Sequence, residues 1–210
     1  MMNNPAGRHI LVDPATARPA PYRGALSEII RWGCMAYLAL AGWKMRGDWP
    51  KLDKFVLVAA PHTSNWDGIN MLAAAAYYRV PLRWMGKKSL TTGPFGWLVR
   101  ALGCIPIDRS RANDIVRIVA DEMIASKTMV LAVPPEGTRS LARAWKTGFY
   151  HIARLAGVPI VVAILDYGTR TISIRAILYP GDDAEEDIAL IRSHYREARG
   201  LRDDKFSAEG

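Results

Sequence analysis

Short apolar runs alternate along the chain with longer segments in which apolar residues recur every three or four positions. The runs are typical of buried strands, which are predicted at 55–60, 82–85, 104–107, 128–133, 159–165 and 171–178. The longer segments are typical of helices that bury one face, which are predicted at 69–78, 95–102, 112–125, 148–155 and 184–198. Strands that alternate with helices predict an α/β fold, with a mostly parallel central sheet flanked by helices.

The beginning of the chain has a different pattern. Residues 1–23 contain four prolines and no periodic apolar positions, so we expect a loose segment. The apolar stretch 27–43, with a tryptophan near each end, predicts a helix. The twelve residues between Arg31 and Lys44 make only about 18 Å of helix, against a hydrocarbon core of about 30 Å. We therefore interpret this helix as lying at a membrane interface, with a buried core helix as the alternative.

These patterns divide the chain into four parts. A loose N-terminal segment (1–23) precedes the region of the apolar interfacial helix (24–50), which leads into the α/β domain (51–200) and a polar tail (201–210). The N-terminus has no charged start, apolar stretch and small-residue cleavage site of the kind that marks a secretory signal. We therefore expect the protein inside the cell.

Composition and charge limit the possible classes of protein. A chain of 210 residues with 50% hydrophobic and 23% charged residues is too apolar to be disordered and too charged to span a membrane many times. With 28 Lys and Arg against 20 Asp and Glu, the net charge is +8, which favours negatively charged partners such as nucleic acid, anionic lipid or a phosphorylated substrate. Cys34 and Cys104 indicate neither a disulfide framework nor a metal site.

A histidine and a carboxylate follow the first predicted strand. With four residues between them, Asp67 can accept one imidazole N–H of His62, which leaves the other ring nitrogen free to take a proton. His62 is therefore a candidate general base. Alternatively, His62 is an ordinary loop residue and Asp67 caps a helix that begins at Gly68. For Ser64 we favour a role in stabilising the turn over a role as a nucleophile.

Two other loops carry groups that suit phosphate. Arg109 closely follows the predicted strand 104–107, and its planar guanidinium can hold phosphate through two hydrogen bonds; a surface ion pair with Asp108 or Asp114 is the alternative. The loop after strand 128–133 is either an ordinary turn or a binding loop, in which glycine permits close approach and hydroxyls and cations bind phosphate. Its candidate residues are Glu136, Gly137, Thr138, Arg139 and Lys146.

In this order the motifs resemble the four blocks of the glycerolipid acyltransferase family, which includes the 1-acylglycerol-3-phosphate acyltransferases. The blocks are His-x4-Asp at 62–67, Gly-x-x-x-Ile-Asp-Arg at 103–109, Pro-Glu-Gly-Thr-Arg-Ser at 135–140 and Val-Pro-Ile at 158–160. The resemblance covers residues 54–170. It implies an α/β sandwich, an acyl-CoA or acyl carrier protein thioester as donor, and a glycerolipid hydroxyl as acceptor.

The resemblance also implies roles for individual residues. By this resemblance His62 is the general base, Asp67 orients it, Arg109 binds the acceptor phosphate, and Glu136, Gly137 and Arg139 shape the acceptor site. Thr138 and Lys146 remain candidates for that site from the loop itself. The chain departs from the family pattern at Pro61, Thr63 and Pro106, where the family commonly has Asn, Gln or Arg, and an aromatic residue, and its fourth block lacks the usual second proline. These departures leave the identity of the acceptor open.

The function expected from the sequence is an O-acyltransferase that acts on a lysophospholipid, by default 1-acylglycerol-3-phosphate, in phospholipid biosynthesis. Attack on an activated thioester needs a base and stabilisation of an oxyanion, so we expect no metal and no cofactor. We expect the protein at the cytoplasmic face of the cell membrane, as a peripheral or monotopic protein that binds an anionic surface. The alternatives are another lyso-lipid acceptor, such as a lyso-aminolipid, or a basic peripheral membrane protein without catalysis.

Nucleic acid is not an expected partner. A nucleic-acid-binding surface would interleave aromatic residues with basic residues on a strand face. In this chain the tryptophans instead concentrate near the apolar N-terminal helix and in apolar segments.

Overall fold

The computed structural model describes residues 8–107 and 112–208, which form one mixed sheet covered by helices. The strands are β1 (His9–Leu11), β2 (Lys44–Arg46), β3 (Lys54–Ala60), β4 (Leu82–Lys87), β5 (Cys104–Ile107), β6 (Met129–Val133), β7 (Ile160–Asp166) and β8 (Thr171–Leu178). The helices are α1 (Ala25–Leu40), α2 (Asn65–Tyr77), α3 (Lys88–Thr92), α4 (Gly96–Ala101), α5 (Ala112–Ala125), α6 (Gly148–Ala156) and α7 (Ala184–Ser193). A short 3-10 helix, Asp203–Lys205, lies near the C-terminal end of the described chain.

The sheet has a parallel centre and a mixed edge. The parallel part has the order β7-β3-β6-β4-β5, which confirms the predicted α/β fold. Strand β8 runs antiparallel to β7 and carries both β1 and β2 along its other side. The carboxyl ends of β3, β6 and β4 therefore meet at one edge of the sheet, which is where the loops with the predicted site residues begin.

The apolar strands are buried because helices cover both faces of the sheet. Successive residues of β3 point to opposite faces: Val56 and Val58 pack in the cluster that includes residues of α5, α6 and α7, while Phe55 and Leu57 pack in the cluster that includes Ala75 of α2. All four of these β3 side chains are buried. Burial of each such side chain contributes about 1.5–3 kcal/mol, so the sheet is a rigid base for the loops at its edge.

Helix α1 lies on the surface of the protein, packed along α2. Leu38 is its one buried residue, so the alternative of a buried core helix does not hold. Among residues 8–107 and 112–208, no helix has both the length and the apolar character required to cross a membrane.

The segments outside the α/β domain have more structure than the sequence predicts. In contrast to the loose segment expected at 1–23, strand β1 pairs with β8, His9 opposite Leu178, and the Arg18 guanidinium binds Asp48. At the other end, Phe206 of the expected polar tail packs against the main core. Neither a strand of three residues nor one apolar residue in a polar tail gives a periodic pattern in the sequence. The pairing of β1 and the packing of Phe206 therefore depend on the tertiary fold.

Candidate active site

The loop after β3 brings His62 and Asp67 together. Ser64 is the N-cap of α2, so the helix begins at Asn65, four residues earlier than the sequence predicts. Asp67 is therefore in the first helical turn, where a carboxylate can turn back towards the preceding backbone N–H groups. Its Oδ2 accepts hydrogen bonds from the N–H groups of Thr63 and Ser64, at 2.6 and 2.7 Å.

Two side chains donate to the other oxygen of Asp67. Oδ1 accepts from the hydroxyl of Ser64 at 2.7 Å and from the hydroxyl of Tyr167 at 2.6 Å. Ser64 thus stabilises the turn, as the sequence suggested. Four donors in total surround the buried carboxylate, which matches the number of lone pairs that it presents.

The imidazole of His62 faces this carboxylate. Nδ1 of His62 lies 3.6 Å from Oδ2 of Asp67, an electrostatic contact that is longer than a hydrogen bond. Burial lowers the pKa of His62; the charge of Asp67 opposes this effect, and the nearby charge of Arg139 adds to it. His62 is therefore neutral at pH 7 and able to accept a proton. Its side chain is 27% exposed, so a substrate can reach it.

Glu136 lies behind His62 and is itself buried. Its Oε1 accepts a hydrogen bond from the backbone N–H of His62 at 2.9 Å, while Oε2 has no hydrogen-bond partner in the described part of the chain. The pKa of Glu136 is raised to about 7, chiefly by burial and to a smaller extent by the charge of Asp67, while backbone N–H donors oppose the rise. In this structure Glu136 supports the loop of the base, and its predicted place in the acceptor site stays a prediction.

The other residues of the Glu-Gly-Thr-Arg loop are exposed. Gly137, Thr138, Arg139 and Lys146 lie at the surface, and Thr138 Oγ1 accepts from the N–H of Ser140 at 3.2 Å. Gly137 has a φ of +64°, and a Cβ atom at this position would lie 3.0 Å from Cγ of Lys146. The backbone conformation thus favours glycine here, and a larger residue would press against the side chain of Lys146.

Arg109 lies outside the described residues, so its predicted role stays a prediction. Among the described residues, no cluster of three or more His, Cys, Asp and Glu side chains is placed to hold a metal ion.

The sequence analysis missed several residues of the site. Tyr167 follows directly after β7, the neighbour of β3, and Asn70 lies one turn beyond Asp67 on α2. From the C-terminal segment, the backbone N–H of Arg202 donates to Oγ1 of Thr63 at 3.3 Å. Tyr167 could have been found from the rule that reactive residues follow the carboxyl ends of parallel strands. The contact of Arg202 has no such signal in the sequence.

The geometry has a clear chemical capability. The partly exposed imidazole has its Nδ1 on the side of a buried carboxylate, which leaves Nε2 as the nitrogen that can accept a proton. Such a pair can remove a proton from a hydroxyl while the carboxylate stabilises the imidazolium that forms. Arg139 and Lys146 add exposed positive charge at the neighbouring loop.

Comparisons with known proteins identify a family to which the chain is similar. Residues 46–165 match the family model described as Acyltransferase. The chain is 29% identical over 164 residues to a 1-acyl-sn-glycerol-3-phosphate acyltransferase of Salmonella typhimurium, an alignment that spans 70% of this chain and 65% of the relative. It is 32% identical over 124 residues to a protein of the same description from Escherichia coli, with 56% of this chain and 49% of the relative aligned. The match thus spans half to two thirds of these relatives' length.

A solved structure shares the fold. The crystal structure of the 1-acyl-sn-glycerophosphate acyltransferase PlsC from Thermotoga maritima aligns with a TM-score of 0.58, over 80% of this chain and 76% of that chain. Sequence identity in this alignment is 19%, so the likeness concerns the α/β architecture.

Proposed function

Because the chain belongs to the acyltransferase family, we propose that it transfers a fatty acyl group from a thioester donor to the hydroxyl of a lysophospholipid. The donor is acyl-CoA or acyl carrier protein, and the default acceptor is 1-acylglycerol-3-phosphate, the acceptor in the names of the Salmonella and Escherichia relatives. The observation that carries this proposal is the His62 imidazole, neutral and accessible beside the buried Asp67.

In the proposed reaction His62 acts as the base. Its Nε2 takes the proton of the acceptor hydroxyl as the oxygen attacks the thioester carbonyl carbon, and a tetrahedral oxyanion forms. The imidazolium is stabilised by the charge of Asp67. When the oxyanion collapses, the carbon–sulfur bond breaks and the thiolate takes the proton back from His62. The products are an ester and a free thiol, with His62 neutral again.

The acceptor phosphate is assigned to the basic loops. Arg139 and Lys146 are exposed beside the base, and the charge of Arg139 already acts on His62. Arg109 completes the proposed phosphate site on the basis of its motif. Guanidinium groups suit phosphate because they donate two parallel hydrogen bonds to it.

A membrane surface is the proposed location of the acceptor, with α1 as the docking helix. The exposed face of α1 is entirely apolar, and Leu26, Ile29, Trp32 and Leu40 are between 64% and 91% exposed. Amphipathic surface helices of this kind bury their apolar side in the headgroup region of a bilayer.

A second apolar surface supports docking on anionic lipid. The α3–α4 region exposes Leu90, Phe95 and Trp97 together with Lys87, Lys88 and Arg100. From Gly68 to Ile107 the sequence contains no Asp or Glu. Each basic residue near an anionic leaflet adds about 1 kcal/mol to the free energy of binding. We propose that the protein binds the cytoplasmic leaflet.

The test is acceptor-dependent release of thiol from acyl-CoA, measured with the wild-type protein, His62→Ala and His151→Ala in detergent. His151 is an exposed histidine on α6 and serves as the matched control. We expect release with 1-acylglycerol-3-phosphate that is lost in His62→Ala, by at least about a hundredfold, and kept in His151→Ala. The fold of His62→Ala should be retained, because a loop residue contributes little to packing.

Three outcomes would change the proposal. Release that survives in His62→Ala would exclude this histidine as the base. In the second outcome, the wild type releases no thiol with 1-acylglycerol-3-phosphate and yet is active with another lyso-lipid or with an acyl carrier protein donor. That result would correct the substrate and keep the reaction class. Silence with every donor and acceptor would favour a binding protein without catalysis.

A further inference from the structure

A line of hydrogen bonds connects helix α1 to the carboxylate beside the base. The hydroxyl of Tyr37 on α1 donates to Oδ1 of Asn70 at 2.9 Å. Nδ2 of Asn70 then donates to the hydroxyl oxygen of Tyr167 at 3.1 Å, and the hydroxyl of Tyr167 donates to Oδ1 of Asp67 at 2.6 Å. Every donor in this line points the same way, towards Asp67, an arrangement in which each bond strengthens the next.

Packing fixes Tyr167 at the centre of this line. Its ring meets the buried ring of Trp43 edge to face, with the centroids 4.9 Å apart, and its backbone N–H donates to the carbonyl of Arg199 at 2.9 Å. Trp43 lies three residues beyond the end of α1. Asn70 is buried on α2, in the turn that follows Asp67. The hydroxyl of Tyr167 therefore has little freedom to leave the carboxylate.

We propose that Tyr167 is a positioning residue that fixes the Asp67 carboxylate towards His62, and that Tyr37 of α1 holds Tyr167 in place through Asn70. Tyr167 acts through Asp67 and does not touch the substrate. Since α1 is the helix with the exposed apolar face, the line ties the catalytic pair to the proposed docking helix. This inference rests on the proposed role of His62 as the base.

Removal of the Tyr167 hydroxyl has a predictable electrostatic effect. Each donor to Asp67 offsets part of its negative charge, so the loss of one donor leaves more of that charge to act on the imidazole. The pKa of His62, which burial lowers, should then rise. The ionisable groups that face His62 or its carboxylate are Asp67 from α2, Glu136 and Arg139 from the loop after β6, and Tyr167 from the loop after β7; Tyr195 faces Glu136.

The experiment compares Tyr167→Phe with Tyr150→Phe. The hydroxyl of Tyr150 donates to Oδ2 of the buried Asp187 at 2.8 Å, so it makes the same kind of bond outside the site. Each variant loses one tyrosine–aspartate hydrogen bond and one further contact of the same hydroxyl, with Nδ2 of Asn70 for Tyr167 and with the carbonyl of Gly181 for Tyr150. The readouts are the NMR titration of the His62 imidazole, identified by its absence in His62→Ala, together with kcat, the KM for each substrate and the melting temperature.

The expected result is specific to Tyr167→Phe. The titration midpoint of His62 moves to higher pH, kcat falls about tenfold because Asp67 is less firmly held, and both KM values stay within about twofold. Tyr150→Phe lowers the melting temperature alone. A titration of His62 that is the same in Tyr167→Phe as in Tyr150→Phe would overturn the proposal.

Tyr37→Phe tests the hydrogen bond between α1 and Asn70. It also keeps the proposal testable if Tyr167→Phe does not fold. Tyr37→Phe should shift the His62 titration in the same direction by a smaller amount. In the double variant the effect should equal that of Tyr167→Phe alone, because the influence of Tyr37 passes through Tyr167. Additive effects would overturn the role of Tyr37.

The titration separates this inference from the proposed function. A shift of the His62 midpoint in Tyr167→Phe, in a protein that transfers no acyl group, supports the positioning role and counts against the acyltransferase activity. Acyl transfer by the wild type with no shift in Tyr167→Phe supports the activity and overturns the positioning role.

Discussion

The backbone N–H of His62 donates to Oε1 of Glu136 at 2.9 Å. This bond joins the loop after β3 to the loop after β6, which are the loops of two adjacent parallel strands. It places a buried acid directly behind the candidate base. Because the bond uses the backbone of His62, it fixes the position of the loop and leaves the imidazole free to act.

The acidity of Glu136 makes stability depend on pH. Its pKa is raised from 4.5 to about 7 by burial, so the folded protein holds the proton more tightly than the unfolded chain does. The stabilisation is complete below pH 4.5 and is lost as the pH rises through about 7, to a total of about 3 kcal/mol. Glu136→Gln should remove this slope, which urea unfolding at a series of pH values will measure. If the stability of Glu136→Gln depends on pH as that of the wild type does, Glu136 is not the source of the pH dependence.

The same residue allows the role of the backbone bond to be tested. The side-chain oxygen of Gln can accept the N–H of His62, whereas Ala leaves that group without an acceptor. We expect Glu136→Gln to keep most of the wild-type kcat and Glu136→Ala to lose about tenfold or more. Equal losses in the two variants would mean that the charge of Glu136 matters and the hydrogen bond does not.

Two neighbours should move the pH profile of activity in opposite directions. The acid limb of kcat/KM should lie below pH 6.5, because burial lowers the pKa of His62. Asp67→Asn removes an attraction for the imidazolium and should move the limb to lower pH, with kcat reduced by about a hundredfold or more. Arg139→Gln removes a repulsion and should move the limb to higher pH. Shifts of the same sign in both variants would exclude His62 as the titrating group.

The glycine of the Glu-Gly-Thr-Arg loop can be compared with a glycine of the same backbone conformation. Gly137 and Gly157 have φ values of +64° and +65°, but a Cβ at 157 meets no atom within 4 Å. Both alanine variants should lose about 1 kcal/mol of stability from the backbone. Gly137→Ala should in addition displace Lys146 and raise the KM of the acceptor. An unchanged acceptor KM would show that the position of Lys146 is not critical.

The apolar face of α1 can be tested with charge. Leu40 is 91% exposed, so Leu40→Glu should leave the melting temperature unchanged and weaken binding to vesicles of anionic lipid by about tenfold or more. Leu155→Glu on α6 is the control, since this leucine is 58% exposed and belongs to another helix. Co-sedimentation will measure the binding. Equal binding by both variants would remove α1 from the membrane contact.

The central fold was predictable because its signals are local. The apolar runs of β3, β6 and β7 are buried on both faces, and each was predicted within one or two residues. Helix α3 was not predicted, since its five residues are too few to show a periodic pattern. The pairing of β1 and β2 with β8 was also missed, because a three-residue strand acquires its structure from the partner.

The candidate site was predictable to the extent that it lies in motifs. His62 and Asp67 follow a recognisable strand and are only five positions apart, so local geometry brings them together. The burial of Glu136 could not be predicted, because it depends on the loop after β3 closing over the loop after β6. The position of Tyr167 after the carboxyl end of β7 indicates the correct edge of the sheet, but the sequence does not indicate that its hydroxyl binds Asp67, one hundred positions away.

Pro106, one of the departures from the family pattern, lies in β5, at the end of the strand order. A proline has no N–H to offer to a further strand, so it blocks continuation of the sheet on this side. At the opposite end, β1 and β2 already occupy the outer side of β8. At the membrane surface proposed above, where copies of the chain would lie close together, an open edge strand could pair with a neighbouring copy. Because it has no N–H group, Pro106 thus disfavours the pairing of β5 with a strand of another copy of the chain.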